Sequence, residues 1–276
     1  MEPAEEYIAF EQPLNERTRS FLRLEFLLAE LEHHRRDTSD WGVRASVRAL
    51  LDTLSVLGRT DLKSELLKDL GEQQAALQRF AARSDVSQDR LRRVLDEINA
   101  ALGSLHQSAA SHPAALLREN DFLYAIHSRS AIPGGTCRFD LAPYHRWLCR
   151  SPDAVEHDLD LWTRRLQAFG VGVDLSLRLL RTSSQPHGLA AKGGVFLHIP
   201  QAHYSLVRVH VPQDCDVYPE ISASKHRIAI RFMTLGDVNT RSVQETRDVP
   251  FRLQCCSPAG ALVGNATAQL SPQDVT

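Results

Sequence analysis

The chain has 276 residues, 43% of them apolar, enough for one large domain or two small ones at about 150 residues each. Lys and Arg total 32 against 34 Asp and Glu, so the net charge of -2 gives no support to nucleic-acid binding by charge excess. No stretch approaches the length of a membrane-spanning helix, and the acidic start lacks a basic, then apolar leader, so the sequence predicts a soluble cytoplasmic protein. Five Cys without a CxxC pair fit reduced thiols rather than a disulfide framework.

After an apolar segment around Tyr7 to Phe10, Pro13 opens a periodic stretch in which Phe21, Leu24, Leu28 and Leu31 recur at spacings of three and four. That spacing predicts an amphipathic helix. A second helix is expected over Trp41 to Leu57, capped by Thr38 or Ser39 and stopped at Gly58. Leu62, Leu66, Leu70, Leu77 and Phe80 then fall on a 3.5-residue repeat with a polar gap near Gln73, and Leu91, Leu95, Ile98, Leu102 and Leu105 follow the same repeat. Two matched seams joined by a polar turn, Ser84 to Ser87, predict a long antiparallel helical hairpin. Such seams pack within the chain or form the interface of a homodimer.

One helix is expected from Pro113 to about Ser128. It is followed by a loop, Ile132 to Arg138, that holds Pro133, Gly134 and Gly135. Asp140 is the expected cap of a helix carrying Tyr144, His145 and Trp147. From Pro152 to about Ser184 the spacing predicts one long helix, with Gly170 and Gly172 as places where it bends. At Ser183 to Gly194 the composition turns to Ser, Pro, Gly and Lys and the period changes to two. Val195–Ile199, Ser205–Val211, Val217–Ser222, Arg227–Met233 and Val249–Cys255 read as strands of a small antiparallel sheet. The fold class is therefore α+β, with a helical domain over 1–183, a β domain over 184–256 and a disordered tail over 257–276.

Chemistry is sparse. Cys137 and His145 make the most enzyme-like pair, without a placed third residue. Gly134-Gly135-Thr136 lacks the spacing and the Lys of a phosphate loop and reads as a turn. His198, His203 and His210 have no ligand spacing that defines a metal site. Cys255 and Cys256 point to opposite faces of a strand and read as free thiols, one buried and one exposed. No catalytic residue, metal or cofactor is expected.

Cationic surface is the more informative feature. Lys225, Arg227 and Arg231 alternate with Ile228, Ile230 and Phe232, and Arg208 and His210 alternate with Val207, Val209 and Val211. Arg17, Arg19 and Arg23 project from the first helix, and Arg118, Arg129, Arg138, His145 and Arg146 flank the Pro-Gly-Gly loop. The cationic sheet face keeps a nucleic-acid-binding module open as the alternative reading, although no aromatic residue for stacking accompanies Lys225, Arg227 and Arg231.

Four segments, FEQPLNERTRSFLRLEF (10–26), SELLKDL (64–70), IPGGTCRFDLAPYHRWL (132–148) and YPEISASKHRIAIRFM (218–233), together resemble the ZapD family of bacterial cell-division proteins. The resemblance implies a non-enzymatic cytoplasmic homodimer at the mid-cell division ring that associates with FtsZ, the tubulin-like GTPase, and crosslinks its filaments into bundles. It also implies that a basic surface of the helical domain engages the C-terminal tail of FtsZ. Arg23 and His145 carry over as partner-binding positions, with Arg118 and Arg129 beside them and Arg19 and Arg138 as further candidates from the same cationic groups. Asp121 stands where the resemblance leads one to expect a basic residue, and the chain runs on past Cys256 to Thr276.

Overall fold

Asn15 sets the start of the first helix, because its side-chain oxygen accepts the backbone N–H of Thr18 at 2.8 Å, one of the donors that a helix N-terminus leaves open. The structure, a computed structural model, describes residues 6–59, 61–79, 87–108, 115–200, 202–224 and 226–257. Within it α1 covers Glu16–His34, with Phe21, Leu24 and Leu31 buried as their spacing requires. Helix α2 covers Asp40–Arg59, and the N–H of Gly42 donates to Ser39 Oγ at 3.1 Å. Ser39 rather than Thr38 is thus the cap, and Gly58 lies inside the helix.

The hairpin arms are α3, Leu62–Gln78, and α4, Gln88–Gln107. In α4 the buried positions Leu91, Ile98 and Leu105 are seven apart, as a heptad seam demands. In α3 the seam runs through Leu62, Leu66, Leu70, Gln73 and Ala76 instead of turning to Leu77, so the supposed polar gap is itself a buried position. Lys63 Nζ donates to the carbonyl of Ser108 at 3.4 Å, which ties the first turn of α3 to the end of α4. The turn residues 84–86, with Phe80, Pro113 and Lys225, lie outside the described residues, as does the tail from 258 onward.

The segment expected as one helix before the loop is two, α5 over Ala115–Glu119 and α6 over Asp121–Ser130. Asn120 divides them: its φ of -127° is not helical, and its side chain accepts the N–H of Leu123 at 3.0 Å. A local side-chain cap has outcompeted continuation of the helix. Helix α7 covers Ala142–Leu148, capped at Leu141 with Pro143 in its first turn, one residue later than Asp140 predicts.

The long helix beyond Pro152 is likewise two, α8 over Pro152–Thr163 and α9 over Gln167–Arg181, joined by a 3-10 turn at Arg164–Leu166. The interruption lies there and not at the glycines. Gly172 serves close approach: a Cβ on it would stand 2.7 Å from Leu66 Cδ2 and 3.3 Å from Leu105 Cδ1. In the same region Ser176 Oγ donates to the buried Asp69 carboxylate at 2.5 Å, which accounts for a charge inside a helical core.

The strands are β1 (Tyr7–Pro13), β2 (His187–Ala191), β3 (Val195–His198), β4 (Leu206–Pro212), β5 (Val217–Ala223), β6 (Ile228–Thr234), β7 (Val243–Gln244) and β8 (Val249–Cys256). They form two antiparallel sheets where one was expected, ordered β1-β4-β8-β2 and β3-β6-β5 with β7 added to β6. Val207, Val209, Leu253 and Phe251 of the first sheet share one core with Phe196, Ile228, Ile230 and Phe232 of the second. The Phe251 ring lies 5.1 Å from that of Phe232 and 5.2 Å from that of Phe196. The period of two in β4 and β6 is thereby explained, since Val207, Val209 and Val211 on one face of β4 and Ile228, Ile230 and Phe232 on one face of β6 are all buried.

The described residues divide into two compact units, one drawn from 1–19, 72–83 and 177–276, the other from 20–71 and 84–176. The N-terminal segment, an apolar run by sequence, belongs to the first unit as strand β1, paired with β4 from Tyr7↔Pro212 to Pro13↔Leu206. Among the described residues no helix is long and apolar enough to cross a membrane.

Candidate partner-binding site

The Pro-Gly-Gly loop lies in the second unit between α6 and α7 and is built from consecutive turns. Ile132 N–H donates to Arg129 O at 3.0 Å, Gly135 N–H to Ile132 O at 2.9 Å, and Cys137 N–H to Gly134 O at 2.9 Å. Gly134 holds φ +73°, a conformation that a side chain resists. A Cβ on Gly135 would stand 2.4 Å from the Arg129 carbonyl oxygen, so the loop folds against the end of α6 only with glycine there.

Two arginines of α2 hold this loop at both ends. Arg48 donates to the carbonyl of Ser130 at 3.1 Å and, through its Nε, to Asp52 at 2.9 Å. Arg44 donates to the carbonyl of Thr136 at 3.2 Å and to Asp40 at 3.2 Å, its guanidinium lying 5.2 Å from the Tyr144 ring centroid and 5.7 Å from that of Trp41. The fork of a guanidinium suits such double duty, whereas an ammonium would serve one partner with a point charge. Neither residue stands out in the sequence. Their signal is an acid four residues away on the same helix, which looks like an ordinary surface pair until the loop carbonyls are in place.

Behind the loop, α7 is anchored by aromatic packing. Trp147 lies 5.6 Å from both Phe122 and Trp162, ring to ring, and its indole N–H donates to Asp158 at 2.8 Å. Tyr144 is buried, and desolvation pushes its phenol well above the ordinary value. His145 therefore sits on a rigid helix face, half-buried, with its Nδ1 4.0 Å from Cys149 Sγ one turn on.

The structure gathers Arg129, Arg138, His145 and Arg146 on the one segment that contains the loop, with Arg138 and Arg146 exposed. Arg129 pairs with Asp140 at 3.7 Å, both side chains partly exposed. That is the role of Asp140 in place of capping α7. Arg118 is exposed on α5, and Arg23 is exposed on α1. Among the described residues no hydrogen bond or ion pair joins either to the loop group. Arg19 belongs to the first unit and lies 3.2 Å from Glu16. Asp121 is exposed in the first turn of α6, where an acidic side chain suits the positive end of the helix.

The remaining candidates are accounted for structurally. Among the described residues the Cys137 thiol has no hydrogen bond to His145, and no group of three or more His, Cys, Asp or Glu is placed to hold a metal ion. His210 bonds Gln254 at 3.3 Å in the first sheet, while His198 is buried on β3 of the second. Cys256 is buried and Cys255 half-buried rather than exposed; burial pushes their thiols up to about 11 and about 12. On the β6 face, Arg231 is matched by Glu220 at 3.0 Å across the strand pair, which compensates one of the cations that kept the nucleic-acid reading open.

Comparison with known proteins bears on this arrangement. A family profile described as ZapD, cell division protein, matches residues 22–231. A cell division protein ZapD from Aromatoleum aromaticum is 38% identical over 255 residues, covering 92% of this chain and 99% of its own. Those from an Azoarcus species and from Methylococcus capsulatus are 36% and 38% identical over 251 residues each, with 91% and 90% of this chain and 99% and 98% of their own covered. The profile match takes in most of α1, the loop with its arginine supports, and the strands β2 to β5, and on it and these relatives the chain belongs to the ZapD family of cell division proteins.

Proposed function

We propose that this protein binds the C-terminal tail of FtsZ through its cationic surface and, as a cytoplasmic homodimer presenting that surface twice, crosslinks FtsZ filaments into bundles at the division ring without catalysis. The observation that carries this reading is the display of Arg138, Arg146, Arg129 and His145 around a loop whose backbone is fixed by its glycines and by Arg44 and Arg48. A rigid cationic surface recognises an acidic, flexible segment by complementary charge, and the preformed loop spares the ordering cost on one side of the contact. Family membership supplies the cell-division setting. Arg23, His145, Arg118, Arg129, Arg19 and Arg138 are the residues proposed to contact FtsZ.

Sedimentation of purified FtsZ with GTP tests the reading. Addition of the protein is expected to move FtsZ into the low-speed pellet as bundles visible by electron microscopy, and an unchanged pellet with single filaments would overturn it.

A further inference from the structure

Strand β3 is an open edge of the second sheet. It pairs with β6 from Val195↔Arg231 to His198↔Ile228 and has no strand on its other side among the described residues. The carbonyl of Gly194 accepts the N–H of Phe232 at 2.8 Å, and because antiparallel pairing alternates along a strand, the N–H and C=O of Leu197 point away from β6 into the open edge. The side chains exposed there are apolar: Leu197 is 51% and Ile199 75% exposed. Sheets blunt such an edge with charge or proline. The opposite edge strand, β5, does so with Pro219, whereas β3, Val-Phe-Leu-His, has neither.

The chain itself brings an occupant to this edge. Beyond the end of β8, Ser257 is fastened through its N–H to Ser183 Oγ at 3.2 Å and through its hydroxyl to the carbonyl of His203 at 3.0 Å. His203 follows Ile199 closely in the sequence, and the chain between them spans no more than about 14 Å. Ser257-Pro258-Ala259-Gly260 then has the residues of a type I turn, Ser first, Pro second and Gly last, and apolar Ala261-Leu262-Val263 follows it. Direction agrees. Strand β8 pairs antiparallel with β2, and the chain reverses from β2 into β3 at the Lys192↔Val195 bridge, so β3 and β8 point the same way and a chain that turns back after β8 runs antiparallel to β3. Charge agrees as well. No Asp, Glu, Lys or Arg occurs from Ser257 to Gln273, and an uncharged segment suits an edge strand without charge, which offers an acidic partner nothing.

We propose that residues 261–263 add to the free edge of β3 as an antiparallel strand, their backbone pairing with Leu197 and their side chains covering Leu197 and Ile199. The second sheet is then closed from within the chain, and an edge that would recruit a second copy is withdrawn. No contact with FtsZ is involved.

Hydrogen–deuterium exchange of the full chain, resolved to single amides by fragmentation mass spectrometry, tests this pairing. In the unaltered protein the Leu197 amide should exchange at least about tenfold more slowly than an open-chain amide. Leu262→Pro, which cannot take its place in a ladder, should remove that protection while the amides of Val209 and Leu253 in the shared core keep theirs. Leu262→Asp, which keeps the N–H but puts a charge against Leu197 and Ile199, supplies a second variant with the same expected loss should Leu262→Pro alter the core amides. A Leu197 amide that exchanges at the open-chain rate in the unaltered protein, or protection that survives both variants, would overturn the pairing. Protection that disappears when the unaltered protein is diluted would also overturn it, and would put a second copy of the chain on the edge instead.

Discussion

Glu11 of β1 stands directly opposite Arg208 of β4, and its Oε1 accepts from Arg208 Nε at 2.7 Å. Arg181, the last residue of α9, closes on the same carboxylate with two bonds of 2.8 Å. Arg208 also donates to Gln254 on β8 at 2.9 Å. One carboxylate therefore fastens the N-terminal strand to the sheet and to the helix that precedes β2, all within the first unit. The side chains of Glu11, Arg181 and Arg208 are only 20 to 23% exposed, so the charges are paired where water screens them weakly.

Burial opposes the ionisation of Glu11, but the hydrogen bonds and charges of Arg181 and then Arg208 outweigh it and hold its pKa below 4.5. A depressed carboxylate contributes stability that is fully present above its unfolded value and is lost as pH falls through the folded one. Glu11→Gln should therefore cost about 1–3 kcal/mol at pH 7, since it leaves two arginines short of a counter-charge. The difference from the parent should shrink below about pH 4. Urea unfolding at pH 7 and at pH 3.5 measures both, and a penalty equal at the two pH values would remove the ion pair as its cause.

Asn120 makes the boundary between α5 and α6. Asn120→Ala should lower stability by about 1 kcal/mol, seen as a fall of a few degrees in the thermal midpoint, and Asn120→Asp, which keeps an acceptor oxygen, should restore most of it. Equal midpoints for the alanine variant and the parent would show that the break is set by something other than the cap.

Binding of the FtsZ tail peptide should weaken steeply with ionic strength, because the loop cations are exposed and within reach of screening. Arg23→Ala and His145→Ala should each reduce bundling in the sedimentation assay with a change in stability of no more than about 0.5 kcal/mol, as expected for side chains that are exposed or half-buried away from a network. Full bundling by both variants would remove them from the site.

Bundling should require two tail sites per particle, since one site decorates a filament whereas a symmetric dimer bridges two, the second contact gaining from high effective concentration. A charge placed on whichever surface is intermolecular should give a monomer, verified by light scattering, that still binds the tail peptide and coats filaments without drawing them together. Phe26, 69% exposed on α1, is the first position for that charge. A folded monomer that bundles as well as the parent would replace two-site crosslinking with a change in filament charge or curvature.

The sequence by itself determined the elements whose pattern is local. The three-and-four spacing of Phe21, Leu24 and Leu31, the heptad of Leu91, Ile98 and Leu105, and the alternation of Val207, Val209 and Val211 all end in buried faces, and the α+β class with them. Periodicity transmits because burial on one face is the same requirement for every residue along the element. The four segments of family resemblance were equally legible, since they need no coordinates. Tertiary structure alone decided the rest. Tyr7–Pro13 is a strand because β4 offers it an edge, and nothing inside seven residues specifies so distant a partner. The strands divide into two sheets because Phe251, Phe232 and Phe196 fill one layer between them, a choice among pairings that alternation leaves open. Arg44 and Arg48 read as surface residues paired to nearby acids until the carbonyls of Thr136 and Ser130, 92 and 82 residues away, come within reach of their free guanidinium nitrogens. Helix period fixes which face a residue occupies, and the fold fixes what that face meets.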